Sequence, residues 1–121
     1  MLVAAAAVAL TGVAAFAWVR PRRVVVEGGS MEPTLAPGDR LLVTRAARLR
    51  VGDVVAVRDP RDRGRVLVKR IAAVLADEVA LRGDNPAAST DSRHFGAVPS
   101  GAVLGRVVRC YAPPWRAGPV R

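Results

Sequence analysis

The pattern of hydrophobic and polar positions divides the chain into two regions, which meet near residue 20. Residues 2–19 are apolar and contain no charged residue and no proline. As a helix this run would be about 27 Å long, close to the roughly 30 Å hydrocarbon core of a bilayer. Phe16 and Trp18 stand near its end, where interfacial aromatic residues are common. We therefore expect residues 1–19 to be a transmembrane anchor.

Two other interpretations of this apolar run are weaker. A cleaved signal peptide would begin with a positively charged region, and no basic residue precedes Leu2. A buried core helix is disfavoured because the run is apolar on all sides. The basic cluster at 20–23 follows directly, and as a juxtamembrane segment it would reach anionic lipid headgroups.

Past residue 23 the pattern changes to short β-branched runs separated by Gly, Pro and Asp, which is typical of strands and turns. Residues 84–101 form a long loop, and loops of this length often carry function. No helical pattern is convincing after the anchor. The sequence therefore predicts a mainly β domain over 24–112, followed by an irregular tail over 113–121. The predicted strands are 24–27, 40–45, 52–57, 66–74, 78–83 and 102–112.

Composition narrows the possible chemistry. The net charge is +9, but the arginines are dispersed and only 4% of residues are aromatic, too few for base-stacking platforms. We therefore expect no nucleic-acid partner. Cys110 is the only cysteine and His94 the only histidine, so we expect no disulfide within the chain, no metal site and no cofactor. Cys110 is expected to be a small buried residue.

Lys69 is the only lysine among 19 lysines and arginines. Alternate residues of a strand share a face, so Leu67, Lys69 and Ile71 would place the amine in an apolar setting. Burial lowers a lysine pKa from its ordinary value of about 10.4 and makes the neutral amine available as a base. Arginine cannot serve in this way because its pKa stays above about 12. The alternative is an ordinary surface lysine on an edge strand.

Ser30 is a matching candidate nucleophile. It follows Gly28 and Gly29, which allow the backbone to turn sharply and to approach a substrate closely. Amide N–H groups around such a turn can face a developing oxyanion. Taken alone, the serine could equally be an ordinary turn residue.

Three segments together resemble the type I signal peptidases, the membrane-anchored serine proteases of the Ser–Lys class. "GGSMEPTLAPGDRLLV" resembles the nucleophile box of that family, and "VLVKRIAAV" resembles its lysine box. "RGDNPAASTDSRHFGAVPSGAVLGR" resembles its last box, with G-D-N, S-x-D-S-R and a later G-R. The boxes come in the family's order, and the resemblance spans residues 24–108.

The resemblance implies a role for each matching residue. Ser30 would be the nucleophile and Lys69 the general base. Ser89 would hydrogen-bond the lysine amine, and a salt bridge between Asp91 and Arg93 would support the site. The remaining residues would build the turns around it: Gly28, Gly29 and Met31 at the nucleophile and oxyanion hole, and Gly83, Asp84 and Asn85 in the loop.

The fold implied by the resemblance is a β-rich protease core with one N-terminal transmembrane helix. The catalytic domain would lie on the extracytoplasmic side of the cell membrane, with an apolar surface near the site in contact with lipid. Substrates would be exported preproteins with small residues, typically alanine, at the first and third positions before the cut. Such substrates would bind as an added extended strand.

The sequence departs from the family pattern at several points. Gly28 stands where some members carry a hydroxyl residue that aids the oxyanion hole, so backbone donors must serve here. Only residues 70–82 separate Lys69 from Gly83, so the large inserted β domain of many Gram-negative members is absent.

The sequence has one candidate membrane span. Applied to the basic residues 20–23, the positive-inside rule places the catalytic domain on the cytoplasmic side, opposite to the orientation of the family. We follow the orientation of the family. His94 occupies a slot that usually holds an aromatic residue, so we expect it to pack or to lie at the surface.

Two other functions remain open at this stage. One keeps the chemistry but restricts the substrate, as in dedicated maturases such as those that remove the leader of nickel-containing superoxide dismutase. The other is a non-enzymatic basic membrane protein that binds anionic lipid or nucleic acid. Self-cleaving repressors also use Ser–Lys chemistry, but no DNA-binding domain precedes Ser30, and the apolar N-terminal run argues against them.

Overall fold

A computed structural model of the protein describes residues 21–121. The expected membrane anchor over 1–19 lies outside these residues. Within 21–121, no helix is long and apolar enough to cross a membrane.

The described chain is mainly β, as the sequence predicts. Eight strands of residues 21–121 form one antiparallel sheet with the order β1–β2–β7–β3–β4–β5–β6, and β8 pairs with β7. The longest strands are β4 and β7, and one or the other takes part in every pairing of the described sheet except β1 with β2 and β5 with β6. The strands are β1 (Arg22–Val25), β2 (Arg40–Thr44), β3 (Val54–Asp59), β4 (Asp62–Val74), β5 (Glu78–Arg82), β6 (Val98–Pro99), β7 (Val103–Ala112) and β8 (Gly118–Pro119).

Most strand boundaries shift by one to four residues from the predicted ones, and at two strand starts, those of β1 and β4, the reason is that strand pairing overrides local composition. Strand β1 begins at Arg22, inside the basic segment expected at 20–23, and the Arg23 guanidinium lies 5.7 Å from the centre of the Tyr111 ring. Strand β4 begins at Asp62, within the charged turn, because this turn is a hairpin that pairs Asp59 with Asp62.

Short elements appear where the sequence shows no periodic pattern. The long loop contains the one-turn helix α1 (Ser92–Phe95) and the 3-10 turns Pro86–Ala88 and Ser100–Ala102. The tail, expected to be irregular, contains a 3-10 turn at Pro114–Arg116 and strand β8. An ion pair with a buried carboxylate holds the tail in place, because Arg116 Nε lies 2.7 Å from Oδ1 of the buried Asp39.

Both faces of the central strands are covered, so the sheet has two cores. Along β3, Val54 and Ala56 face the first core, while Val55 and Val57 face the second. Cys110 is buried in the first core, as expected. The first core contains Val26, Met31, Leu35, Leu41, Val43, Val54, Ala56, Val68, Val107 and Cys110, and the second contains Val55, Val57, Leu67, Ile71, Val79, Leu81 and Val98.

Gly105 lies where β7 passes from pairing with β3 to pairing with β2. A Cβ atom at this position would lie 2.8 Å from Val43 Cγ1 and would overlap the carbonyl oxygen of Thr44. The glycine of the G-R pair in the last sequence box therefore has a packing role.

We predict that Gly105→Ala destabilises the fold by about 1–3 kcal/mol, because the methyl group must displace backbone. Urea unfolding of the full chain in detergent measures this difference. Gly101→Ala is the matched control, since a Cβ there meets nothing within 4 Å. Equal stabilities of the two variants would contradict the prediction.

Candidate active site

A cleft of about 190 Å³ opens between two extended segments, residues 25–30 and residues 65–69. Arg61, Ala88 and Thr90 complete its lining. Every residue of both segments lines the cleft. Because consecutive residues of an extended segment point to opposite sides, the backbone of each segment as well as its side chains forms the wall.

The β4 wall of the cleft has an unused strand edge. Strand β4 pairs with β3 over residues 66–70, but its pairing with β5 begins only at Arg70. In the described chain, residues 65–69 therefore have no strand partner on the β5 side. The backbone donors and acceptors that face this side are available to an extended peptide.

Lys69 is buried in this wall, with 4% of its surface exposed. Leu67 and Ile71, on the same face of β4, belong to the second core, which confirms the apolar setting predicted from strand alternation. The lysine Nζ donates a hydrogen bond to Ser89 Oγ over 3.0 Å. The contact that the resemblance implies between these two side chains is therefore present.

Burial lowers the pKa of Lys69 from its ordinary value, because an ammonium group is poorly solvated in an apolar wall. The Asp91 carboxylate opposes this shift by attracting the positive charge. The guanidinium groups of Arg61, Arg65 and Arg93 repel the ammonium group and lower its pKa further. The neutral amine is therefore more accessible here than in an exposed lysine.

Asp91 is fully buried and accepts hydrogen bonds from several donors. Ser89 Oγ donates to its Oδ2 over 2.7 Å, and the Gly83 N–H donates to the same oxygen over 3.0 Å. Arg93 Nε lies 2.9 Å from Oδ1, which forms the expected salt bridge. Burial alone would raise the pKa of Asp91, but these hydrogen bonds outweigh it and hold the pKa well below its usual range.

Asp91 also begins helix α1. Its side chain accepts from the Arg93 N–H, while His94 Nδ1 accepts from the Asp91 N–H over 3.3 Å, forming a reciprocal capping box. His94 is otherwise exposed, in agreement with its expected place at the surface. Its position is explained by this cap.

The turn that carries Ser30 is tied to the long loop by backbone contacts. The Asn85 N–H donates to the Ser30 carbonyl oxygen over 2.8 Å, and Asn85 Nδ2 donates to the Gly29 carbonyl oxygen over 3.2 Å. A Cβ at Gly83 would lie 2.6 Å from the Ser30 carbonyl oxygen and would overlap the Ser89 side chain. A glycine is therefore required where the two segments meet.

The first part of this turn also depends on glycine. Gly28 has a φ of +71°, in the left-handed region, and open space lies where its Cβ would be. Met31, grouped by sequence with the turn, places its side chain in the first core, where it anchors the turn. Within residues 21–121, Ser30 Oγ has no hydrogen-bond partner, and the lysine's hydrogen bond goes to Ser89.

Sequence reasoning missed an ion-pair network that joins the three motif boxes. Arg70 donates to Asp84 through Nε over 2.9 Å and through Nη2 over 2.8 Å, and Thr34 Oγ1 donates to the same carboxylate. The hydrogen bonds from Arg70 lower the pKa of Asp84. Arg70 follows Lys69 and points to the opposite face of β4, so strand alternation was the signal that could have identified it.

Within residues 21–121, no cluster of three or more His, Cys, Asp or Glu side chains could hold a metal ion. What the cleft combines is a serine on a glycine turn, a buried amine and a hydrogen-bonded carboxylate behind that amine. These are the parts of a serine-type peptidase site that uses lysine as its base.

Comparison with known proteins agrees with this class. The family described as "Signal peptidase, peptidase S26" matches residues 1–85 and 72–112. The chain belongs to this family and is a signal-peptidase-like protein, as the three sequence boxes indicated.

Relatives with assigned names include mitochondrial and bacterial proteases. The mitochondrial ATP-independent inner membrane protease subunit 1a of Arabidopsis thaliana is 36% identical, over 79% of this chain and 73% of its own length. The mouse mitochondrial inner membrane protease subunit 1 is 29% identical, over 69% of this chain and 65% of its own length. Signal peptidase I U of Bacillus subtilis is 33% identical over 64 residues, which cover 50% of this chain and 34% of that protein.

We predict that the buried carboxylates make the fold sensitive to acid. The pKa of Asp84 is lower in the folded chain than in the unfolded one, so Asp84 stabilises the fold fully above its unfolded pKa of about 4. That stabilisation is lost as the pH falls through the lowered folded pKa. Asp84→Asn should therefore be less stable at neutral pH and lose less stability between about pH 5 and pH 3, as measured by urea unfolding.

Asp77→Asn is the control for this measurement. Asp77 is exposed, and its side chain has no hydrogen bond or ion pair among the described residues. This variant should keep the wild-type dependence on pH. If Asp84→Asn also keeps that dependence, the ion pair with Arg70 does not stabilise the fold.

Proposed function

We propose that the protein is a membrane-bound serine endopeptidase that removes signal peptides from exported preproteins by a Ser30–Lys69 mechanism. The observation that carries this proposal is the buried Lys69 amine, which Ser89 holds in the same cleft as Ser30. Membership of the signal peptidase family supports it, as do relatives named as inner membrane proteases.

The proposal includes the membrane arrangement expected from the sequence. The apolar run at 2–19 supports a single-pass anchor, and the family resemblance supports an extracytoplasmic domain over 24–112. Partners would be preproteins and membrane lipid, with no nucleic acid. Several described arginines support this last point because carboxylates of the same chain engage them: Arg61, Arg70, Arg93 and Arg116.

The direction of the hydrogen bonds suggests how Lys69 is oriented. Ser89 gives its only hydroxyl proton to Asp91, so towards Lys69 it can act only as an acceptor. A neutral amine that donates one N–H to Ser89 keeps its lone pair for another group. We infer that this lone pair receives the proton of Ser30, through a hydrogen bond that tightens when substrate is bound.

The reaction then follows from these positions. Ser30 Oγ attacks the scissile carbonyl carbon while its proton passes to Lys69 Nζ, and the Ser30 N–H stabilises the oxyanion. The ammonium group returns the proton to the leaving amine, which leaves an acyl ester on Ser30. Water then gives a proton to Lys69 and attacks the ester, and the proton returns to Ser30 Oγ as the acid product leaves.

The shape of the cleft supports an extended substrate with small side chains. The unpaired edge of residues 65–69 supports binding of the substrate as a strand. Val26, Val68 and Ala88 lie along a cleft of only about 190 Å³, which favours methyl-sized groups over larger ones. This preference agrees with alanine at the first and third positions before the cut.

We predict that Lys69→Arg lowers cleavage of a preprotein with an Ala-x-Ala site at least about a hundredfold. Arginine keeps the charge but cannot become a neutral base. The measurement compares detergent-solubilised full-length variants with matched thermal stability, and Lys69→Met serves as a second variant that suits an apolar wall. Arg63→Lys, an exchange at an exposed site outside the cleft, should keep wild-type activity.

Equal cleavage by wild type and Lys69→Arg would remove Lys69 from the mechanism. A basic lipid-binding protein without enzymatic activity predicts that neither Lys69→Arg nor Ser30→Ala has any effect on lipid binding, and that none of the variants cleaves. A dedicated maturase predicts cleavage of one natural substrate and of no general preprotein.

We also predict opposite shifts in the pH dependence of kcat/KM. Activity should rise with pH as Lys69 loses its proton, with a midpoint below the ordinary lysine pKa. Asp91→Asn should move the rise to lower pH, because the carboxylate favours the ammonium form. Arg65→Gln should move it to higher pH, because the guanidinium disfavours that form. Asp77→Asn should leave the midpoint in place, and shifts of the same sign in Asp91→Asn and Arg65→Gln would contradict Lys69 as the titrating base.

A further inference from the structure

One arginine in the cleft has no hydrogen bond or ion pair with the described residues, although its charge acts on Lys69 and Asp59 from a distance. Arg65 lines the cleft at the start of its β4 wall and is exposed, and within residues 21–121 it has no hydrogen bond or ion pair. Arg61, the other arginine of the lining, is engaged. Its Nε and Nη2 lie 3.1 Å and 3.0 Å from the two oxygens of Asp59, and its guanidinium stacks 5.5 Å from the centre of the Phe95 ring.

The surrounding charges leave this end of the cleft positive. The hairpin over 58–65 contains four arginines and two aspartates, a net charge of +2. Both carboxylate oxygens of Asp59 already accept hydrogen bonds from Arg61, and Asp62 accepts a hydrogen bond from the Gly64 N–H. Glu27 lines the opposite wall and would repel an acidic side chain there. An acidic group is therefore favoured beside Arg65 and disfavoured across the cleft.

The position of Arg65 along the strand sets the substrate position that it would meet. Arg65 lies four residues before Lys69, which at about 3.3 Å per residue separates them by about 13 Å. A substrate strand on the same edge has the same rise per residue. Since its scissile carbonyl must lie near Ser30 and Lys69, the residue beside Arg65 is about four positions from the scissile bond.

We propose that Arg65 determines specificity by pairing with an aspartate or glutamate of the substrate, three to five residues from the scissile bond. This inference rests on the proposed function, because it takes the cleft as the substrate site. It adds an electrostatic requirement at one end of the cleft to the preference for small residues next to the cut.

The test uses peptides with an Ala-x-Ala site and otherwise neutral residues. Each peptide carries one glutamate, at a position between six residues before and six residues after the scissile bond, and has a glutamine counterpart. With the full-length protein in detergent at low salt, we expect the glutamate peptide to have about two- to fivefold higher kcat/KM at a position three to five residues from the cut. The preference should vanish at about 0.5 M salt, where surface charges are screened.

Variants assign the preference to Arg65. In Arg65→Gln the glutamate-to-glutamine ratio should fall to about one, and in Arg65→Glu a lysine at the same peptide position should become favoured. The ratio of kcat/KM for the glutamate peptide to that for the glutamine peptide is the correct readout. Both peptides are cleaved by the same variant, so any change in the pKa of Lys69 affects both values equally and cancels in the ratio. Arg63→Gln removes an arginine of the same hairpin that lies outside the cleft, and it should keep the wild-type ratio.

A ratio near one at every position, or a ratio that Arg65→Gln leaves unchanged, would overturn the proposal. Absence of cleavage of every peptide would overturn the proposed function. In that case the binding of the same peptides, fluorescently labelled, to the Ser30→Ala protein is measured by fluorescence anisotropy. This measurement tests the Arg65 subsite independently of cleavage. Tighter binding of the glutamate peptide that is lost in the Ser30→Ala, Arg65→Gln double variant supports the subsite, and equal binding overturns it.

Discussion

The structure of the site depends on the burial of one amine. An ammonium group inside an apolar wall is costly, and the neutral form is favoured there unless charges of the opposite sign are close. The chain places a single hydroxyl, Ser89, between the amine and the nearest carboxylate, Asp91. The Asp91 carboxylate in turn accepts hydrogen bonds from Arg93, Gly83 and Ser89. The amine is thus oriented by a negative group without forming a direct ion pair with it.

This arrangement explains why the long loop is ordered although it has little regular structure. Asp91 caps helix α1, ends the hydrogen-bond relay from Lys69 and binds the backbone at Gly83. A second carboxylate, Asp84, joins the loop to β4 through Arg70 and to the nucleophile turn through Thr34. Two aspartates therefore hold the loop against the sheet, Asp84 at its start and Asp91 near its middle.

Much of the fold and the site could be predicted from the sequence, since both depend on local patterns. Strand alternation around Lys69 predicted its burial, and the three ordered boxes predicted the family and the hydrogen bond between Lys69 and Ser89. Alternation along β4 also indicates that Arg70 faces away from Lys69, but its pairing with Asp84 depends on the register between β4 and β5, and the contact of Thr34 with Asp84 depends on how a distant turn packs. Arg65 carried no signal either, since arginine is the usual cation of this chain and only the three-dimensional cleft distinguishes one arginine from another.

The contacts that build the site join parts of the chain that are far apart in sequence. Thr34 meets Asp84 across 50 residues, and Asn85 meets Gly29 across 56. Such contacts close large loops and form late in folding, because the entropy of loop closure must be overcome first. A fragment that lacks either partner of these contacts therefore lacks part of the proposed site. The topology itself thus couples assembly of the proposed site to completion of the fold.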